Sequence, residues 1–348
     1  MDLRILKMAN LVSDKFKNSL KSSMKEHIIN FLERKRLSGS PYERQPERLI
    51  AFDSLLAEFF PNAVSITSEI ADKWVEFISQ NNVSNNTIHV RIAPIREFAR
   101  YLNSIGIPSV IPETKAKFIK PECHLITEQE LKAFFKSADS IKHTKKGSLI
   151  YITAPVIFRL MYSTGMRSPE VRHLTVSDVN LTTGKIFIRE SKAHQLRVIL
   201  VSDDMLKVMR HYDEIMQQAV PNRKIFFSFH NNDRSISRAN LNYCFHDIWD
   251  HLPEATVEKS PKMTMRSFRH CFALSCIYKW YKEGKNINAI EDYLVCYMGH
   301  SDFRQTSYYI HLAEMVYPEI RDSIHRINDG ILPDITSIVD DDEVPYDA

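Results

Sequence analysis

Between Ser109 and His124 the chain loses every apolar period: Pro112 and Pro121 interrupt regular structure, and Lys115, Lys117 and Lys120 make the stretch basic. Such a segment reads as a semi-extended linker. It divides a chain of 348 residues, too long for a typical single domain, into two parts that can each bury a core. The expected organisation is an N-terminal extension over 1–17, a helical domain over 18–108, the linker over 109–124, a second domain over 125–328 and an acidic tail over 329–348.

Upstream of the linker the apolar residues recur at helical spacing. Lys17, Lys21 and Lys25 repeat every four residues, as on one helix face, which either meets solvent or contacts phosphate. Ile28, Phe31 and Leu32 begin an apolar stripe on another face, and a second stripe runs through Leu49, Phe52, Leu55, Leu56 and Phe59 to Pro61. Thr67 and Ser84 are placed to cap a third and a fourth helix, the latter ending at Gly106. Four helices in this space predict a small bundle. Arg91, Arg96 and Arg100 fall off the stripe of the fourth helix, facing DNA or water.

Downstream the pattern is mixed. Thr127-Glu-Gln-Glu130 is a capping box opening a helix through Leu131, Phe134 and Phe135. A further helix runs from about Leu149 to Ser163, and Pro169 suits the first position of the next, with Ser168 as its cap. Residues 185–189 and 197–201 have strand composition and predict a hairpin or adjacent strands with Lys192 near the tip. Ser202 and Ser235 are candidate caps for two more helices, and Thr264 to His325 reads as helical with breaks at Gly284 and Gly299. The fold expected is therefore mainly α with a small β-sheet.

Charge narrows the partners. From Asp329 to the end the chain carries seven acidic residues and no Lys or Arg, leaving 46 basic against 36 acidic residues before it, a net +10 that suits nucleic acid. No apolar run reaches a membrane span, and Met1 to Leu20 is interrupted by charges as no signal peptide is, so a cytoplasmic location without membrane contact is expected. The five cysteines lack Cys-x-x-Cys spacing and read as reduced packing residues rather than a disulfide framework or zinc site.

Four islands carry candidate chemistry. Arg167 opens a predicted helix, where helix-end N–H groups and a guanidinium both favour an anion. Arg266 and Arg269 share a helix face, with His270 four residues from Arg266; two such cations repel unless an anion lies between them. Lys192 has the long stem of a movable proton donor. In Gly299 to His311, His300 precedes Tyr309 by nine residues. A phenol, with a pKa of about 10, attacks a phosphodiester only where the phosphate charge is neutralised.

Thr-Gly-Met-Arg-Ser-Pro-Glu (164–170), Lys192 five residues before the Arg197 strand, Ser-Phe-Arg-His-Cys-Phe-Ala (267–273), and Gly-His with Tyr309 nine residues on resemble, in order and spacing, the motifs of the tyrosine recombinase, or phage integrase, family. The resemblance covers roughly residues 18 to 325. It implies a helical, SAM-like core-binding bundle followed by a mixed α+β catalytic domain. It also implies that Arg167 and Arg269 clamp the scissile phosphate, that His300 adds a hydrogen bond and that Lys192 protonates the leaving 5′-oxygen. Tyr309, rather than Tyr308, becomes the nucleophile of a 3′-phosphotyrosyl link. No metal, ATP or other cofactor is implied. The partners implied are double-stranded DNA, a homo-tetramer on that DNA and accessory DNA-bending proteins, and the activity that of a site-specific recombinase, integrase- or transposase-like.

One position departs from the family pattern: Arg266 stands where histidine is most common. An arginine holds a phosphate but takes no proton, so Arg266 is expected to act on Tyr309 by charge alone, with His270 as an alternative base. The tail over 329–348, with Ile331, Ile335, Ile338 and Val339 at helical spacing, either packs in trans on a neighbouring subunit, as the resemblance implies, or folds back on its own domain or stays disordered. The alternative functions are a type IB topoisomerase-like nicking and closing enzyme and a non-cleaving DNA-binding regulator with the same fold.

Overall fold

The computed structural model describes residues 12–39, 42, 45–80, 82–119, 123–142, 148–189, 196–253, 263–299, 304–317 and 320. The chain divides between residues 120 and 121 into two compact units.

The first unit contains α1 (Asp14–Ser19), α2 (Lys25–Leu37), α3 (Gln45–Phe59), α4 (Ser68–Ser79) and α5 (Asn85–Ser104). Thr67 and Ser84 cap α4 and α5 as expected, accepting the Ile70 and Thr87 N–H groups. The stripes meet in one core in which Phe52, Trp74 and Phe98 are fully buried and stack edge to face. Lys17, Lys21 and Lys25 do not share a helix face. The chain breaks between α1 and α2 because buried Asp53 of α3 accepts the Lys21 N–H (2.6 Å), the Ser22 N–H (3.1 Å) and the Ser22 hydroxyl (2.5 Å). A carboxylate so placed substitutes for the helical hydrogen bonds of those residues.

Two further readings change in this unit. Arg91 donates to Ile78 O (3.0 Å) and Arg96 to Pro112 O (2.8 Å), so both hold backbone carbonyls, while Arg100 is exposed. The basic stretch after α5 is laid along the unit as far as residue 119: Val110 N–H reaches Ile66 O (2.7 Å), and Asn86 makes a paired bond to the Ile119 backbone (2.6 and 2.9 Å). Satisfying these backbone groups makes it a strap rather than a free linker.

The second unit is built on α6 (Glu128–Asp139), α7 (Ile150–Thr164), α8 (Ser168–Arg172), α9 (Asp203–Ala219), α10 (Arg238–Trp249), α11 (Met265–Lys282), α12 (Ile287–Met298) and α13 (Arg304–Val316). A small antiparallel sheet of order β1-β2-β3 joins β1 (Val179–Asn180), β2 (Lys185–Ile188) and β3 (Arg197–Leu200), pairing Ile186 with Ile199 and Ile188 with Arg197. Its alternation buries Ile186, Ile188 and Ile199 and exposes Phe187 and Leu200. The expected capping box at Thr127 and the cap at Ser202 are present. Two caps shift: Arg167 rather than Ser168 is the cap of α8, and Ser237 rather than Ser235 that of α10. Phe134, Phe158, Phe245 and Phe268 form the aromatic centre of the core, and a second cluster joins α11, α12 and α13 through Leu274, Met298, Ile310 and Ala313. The architecture is mainly helical with one small sheet. Among the described residues no helix is long and apolar enough to cross a membrane.

Candidate active site

Three arginines from three separate elements converge on the end of α12. Its last carbonyls have no helical partner and carry the negative end of the helix dipole. Arg197, opening β3, donates from Nε to Tyr297 O (2.9 Å). Arg269, on α11, donates from Nη2 to Met298 O (2.6 Å), and Arg167, ahead of α8, from Nη2 to Gly299 O (2.8 Å). Three consecutive carbonyls thus each receive one guanidinium. The same turn must admit Arg197 closely: Gly299 has φ +63, and a Cβ there would lie 2.7 Å from Arg197 Nη1.

The motif around Arg167 is shaped by a second glycine. Gly165 ends α7 in the left-handed region (φ +64), where a Cβ would come within 2.5 Å of the Phe272 ring. Its carbonyl then accepts Arg269 Nη1 (2.6 Å), tying α7 to α11. Arg269 is 7% exposed, and burial, followed by the nearby Arg167 charge, lowers its pKa to about 10. It therefore remains a cation at neutral pH.

Arg197 and Glu170 are residues to which motif spacing assigned no role. The Glu170 side chain is 3% exposed and forms ion pairs with Arg167 Nη1 (3.1 Å) and Arg197 Nη2 (2.7 Å), and it accepts the Arg167 N–H (2.9 Å). Burial works to raise its pKa, but the Arg197 hydrogen bond and charge and then the Arg167 charge hold it below the usual carboxylate range. The start of α8 is thus occupied by the protein's own carboxylate, so that end is not itself the anion site that its sequence suggested. The signal available was Glu170 three residues after Arg167, the pattern of a capping box.

Tyr309, on α13, is 5% exposed and faces this cluster. Burial pushes its pKa up; the Arg269 charge, a hydrogen bond from Arg269, and the charges of Arg266 and Arg167 draw it down. Tyr308 is only half-buried, and burial pushes its phenol up to about 12. Arg266 and Arg269 share α11 but not an environment, since Arg266 is exposed at the helix start. His270 is buried with its ring centroid 5.3 Å from that of Tyr309, and its Nδ1 makes no hydrogen bond. Burial first, then the charges of Arg266 and Arg269, lowers its pKa to about 3, so it stands neutral and is a weak base.

The structure therefore brings Arg167, Arg269 and Tyr309 together, with Arg266 acting on Tyr309 by its charge. Lys192 and His300, and the tail over 329–348, lie outside the described residues. Among the described residues no group of three or more His, Cys, Asp or Glu side chains is placed to share a metal ion.

A family model described as the phage integrase family matches residues 124–315, more than half of the chain and all of the elements that build this cluster. The chain belongs to the phage integrase family. It is thus an enzyme of the tyrosine recombinase class. A putative integrase/recombinase of Sinorhizobium fredii is 23% identical over 294 residues, covering 82% of this chain and 90% of that protein. A XerD tyrosine recombinase of Staphylococcus epidermidis is 25% identical over 303 residues, covering 83% and 94%. Among solved structures, the Tn1549 transposon integrase in complex with a circular intermediate DNA shares the fold with a TM-score of 0.61 at 15% identity, over 86% of this chain and 99% of that one. The XerH site-specific recombinase, bound to its palindromic difH substrate, does so with a TM-score of 0.57 at 16% identity, over 90% and 94%.

Proposed function

We propose that this integrase-family protein recombines double-stranded DNA at specific sites, cutting and rejoining strands through a 3′-phosphotyrosyl intermediate at Tyr309. The observation that carries the reading is the buried Tyr309 phenol, hydrogen-bonded by Arg269 and acted on by the charges of Arg266 and Arg167. Burial alone makes a phenol a poorer nucleophile; surrounding it with fixed cations supports its attack on an anion.

In the cleavage step Tyr309 Oη bonds to phosphorus and the bond from phosphorus to O5′ breaks. A guanidinium carries five N–H donors, and those of Arg167 and Arg269 would neutralise the non-bridging oxygens. Lys192 donates a proton to the leaving 5′-oxygen, and His300 adds a hydrogen bond to the phosphate. The proton of Tyr309 passes to water, to His300 or to a phosphate oxygen, because Arg266 holds charge without accepting a proton. Attack of a second 5′-hydroxyl on the phosphotyrosine reverses the step and rejoins the strand. The reaction conserves the number of phosphoester bonds, so it needs no ATP, and fixed guanidinium charge supplies the electrostatic stabilisation without a metal. Two such duplexes held by a tetramer give exchange; accessory bending proteins would shape the DNA.

The test uses duplexes enriched from random-sequence DNA by binding to the full-length protein, each then nicked just downstream of the cut so that the freed strand diffuses away. In EDTA, wild type should form a covalent protein–DNA product on a denaturing gel and the Tyr309→Phe variant none. Binding without any covalent product from wild type would instead favour the non-cleaving regulator.

A further inference from the structure

Glu170 poses an electrostatic problem for the reading just given. It is a buried carboxylate 3.1 Å from Arg167 Nη1, and a phosphate clamp paired with its own carboxylate presents little net charge to an anion. In isolation the Arg167–Glu170 pair is close to neutral. The charge that remedies this comes from Arg197, whose Nη2 lies 2.7 Å from the other carboxylate oxygen. The three side chains then sum to one positive charge. Arg197 itself is turned inward: its side chain is 7% exposed, Nε is committed to Tyr297 O and Nη2 to Glu170. Arg167, 22% exposed, is the member of the trio with a face left for a ligand.

We infer that Arg197 is a positioning residue of the active site: it takes up the charge of Glu170 and holds the end of α12, so that the charge of Arg167 is available to the scissile phosphate. This rests on Arg167 being a phosphate clamp. Arg197 acts through Glu170 and through the Tyr297 carbonyl at the end of α12. Without Arg197, both oxygens of Glu170 face a single guanidinium, and Arg167 is drawn towards Glu170 and away from Gly299 O.

The test is single-turnover cleavage of the nicked duplex at saturating protein, with wild type, Arg197→Met, Arg197→Lys and the double variant Arg197→Met/Glu170→Gln. Arg197→Met should cleave about 100-fold more slowly, the scale of losing one preorganised charge donor to a transition-state anion. Its half-saturating DNA concentration should change less than about threefold. The discriminating result is suppression: removing the carboxylate as well frees Arg167, so the double variant should cleave about tenfold faster than Arg197→Met alone. A role confined to packing gives the opposite order, since a second buried change adds damage. Wild-type cleavage by Arg197→Met, or a folded double variant no faster than the single one, overturns the inference. Should Arg197→Met fail to fold, Arg197→Lys decides: it keeps the charge, so cleavage within about tenfold of wild type supports the role. A folded Arg197→Lys with a larger loss contradicts it. Wild type is the separate control, since its own failure to form a covalent product rejects the reading of Arg167 and Tyr309 rather than that of Arg197.

Discussion

Tyr309 is held between two opposed effects, burial that disfavours its phenolate and arginine charge that favours it. Arg266 belongs to the second effect and has no proton to exchange, so Arg266→His should retain cleavage; loss of cleavage in a folded Arg266→His protein would overturn a purely electrostatic role. Arg269 does structural work as well, since Gly165 O and Met298 O both depend on it. Arg269→Met should abolish covalent product and destabilise the second unit by about 3 kcal/mol, read by chemical denaturation. His270 gives a pH signature. Its folded pKa of about 3 lies below the ordinary 6.5, so the unfolded chain binds the extra proton between those values. Stability is then complete above about pH 6.5 and falls as the pH drops towards 3, by about 1.4 kcal/mol per unit where the unfolded imidazole is fully protonated. His270→Asn should flatten that slope in melts between pH 7 and 5, and an unchanged slope would show that another group titrates. At this scale the sequence singled out Arg167, Arg266, Arg269 and Tyr309, because motif spacing is local, but not Arg197. It hid the pairing of Glu170 with Arg197, 27 residues apart, and of Arg197 with Tyr297, 100 apart, which exist only once β3 meets α12.

Helix caps at Thr67, Ser84, Thr127 and Ser202 were legible because each is satisfied within three residues. The break between α1 and α2 was not. The group that fixes the backbone at Lys21 is Asp53, 32 residues away, so the local sequence did not single out a break there. The same reason explains Arg91 and Arg96: spacing placed them off the apolar stripe, but the carbonyls they hold come from α4 and from the strap after α5. Asp53 is therefore the residue on which the first two helices depend. Asp53→Ala should leave two backbone N–H groups and the Ser22 hydroxyl without their acceptor, lowering stability by about 3 kcal/mol. Hydrogen exchange should quicken at residues 20–24 before it does in α5; unchanged protection there would mean that the break is set by something else.

Across the whole molecule, the family match over 124–315 lies within the second unit, while the basic excess before Asp329 is shared by residues 1–120 and 121–328. Binding carried by phosphate contacts weakens with salt: neutralising about six phosphates gives a log–log slope of about −5. A slope near zero in equilibrium binding between 50 and 200 mM salt would contradict an electrostatic grip on DNA. The division into a helical part and a mixed part was legible from the change of apolar period. The fate of the basic stretch was not, since its bonds to Asn86, His89 and Arg96 depend on how α5 presents those side chains. The most direct measurement is to trap wild-type protein on nicked duplex, digest the covalent product and locate the nucleotide adduct by mass spectrometry. The account predicts a phosphotyrosyl adduct on Tyr309, buried against Arg269. An adduct on Tyr308, or on any residue other than Tyr309, would contradict it.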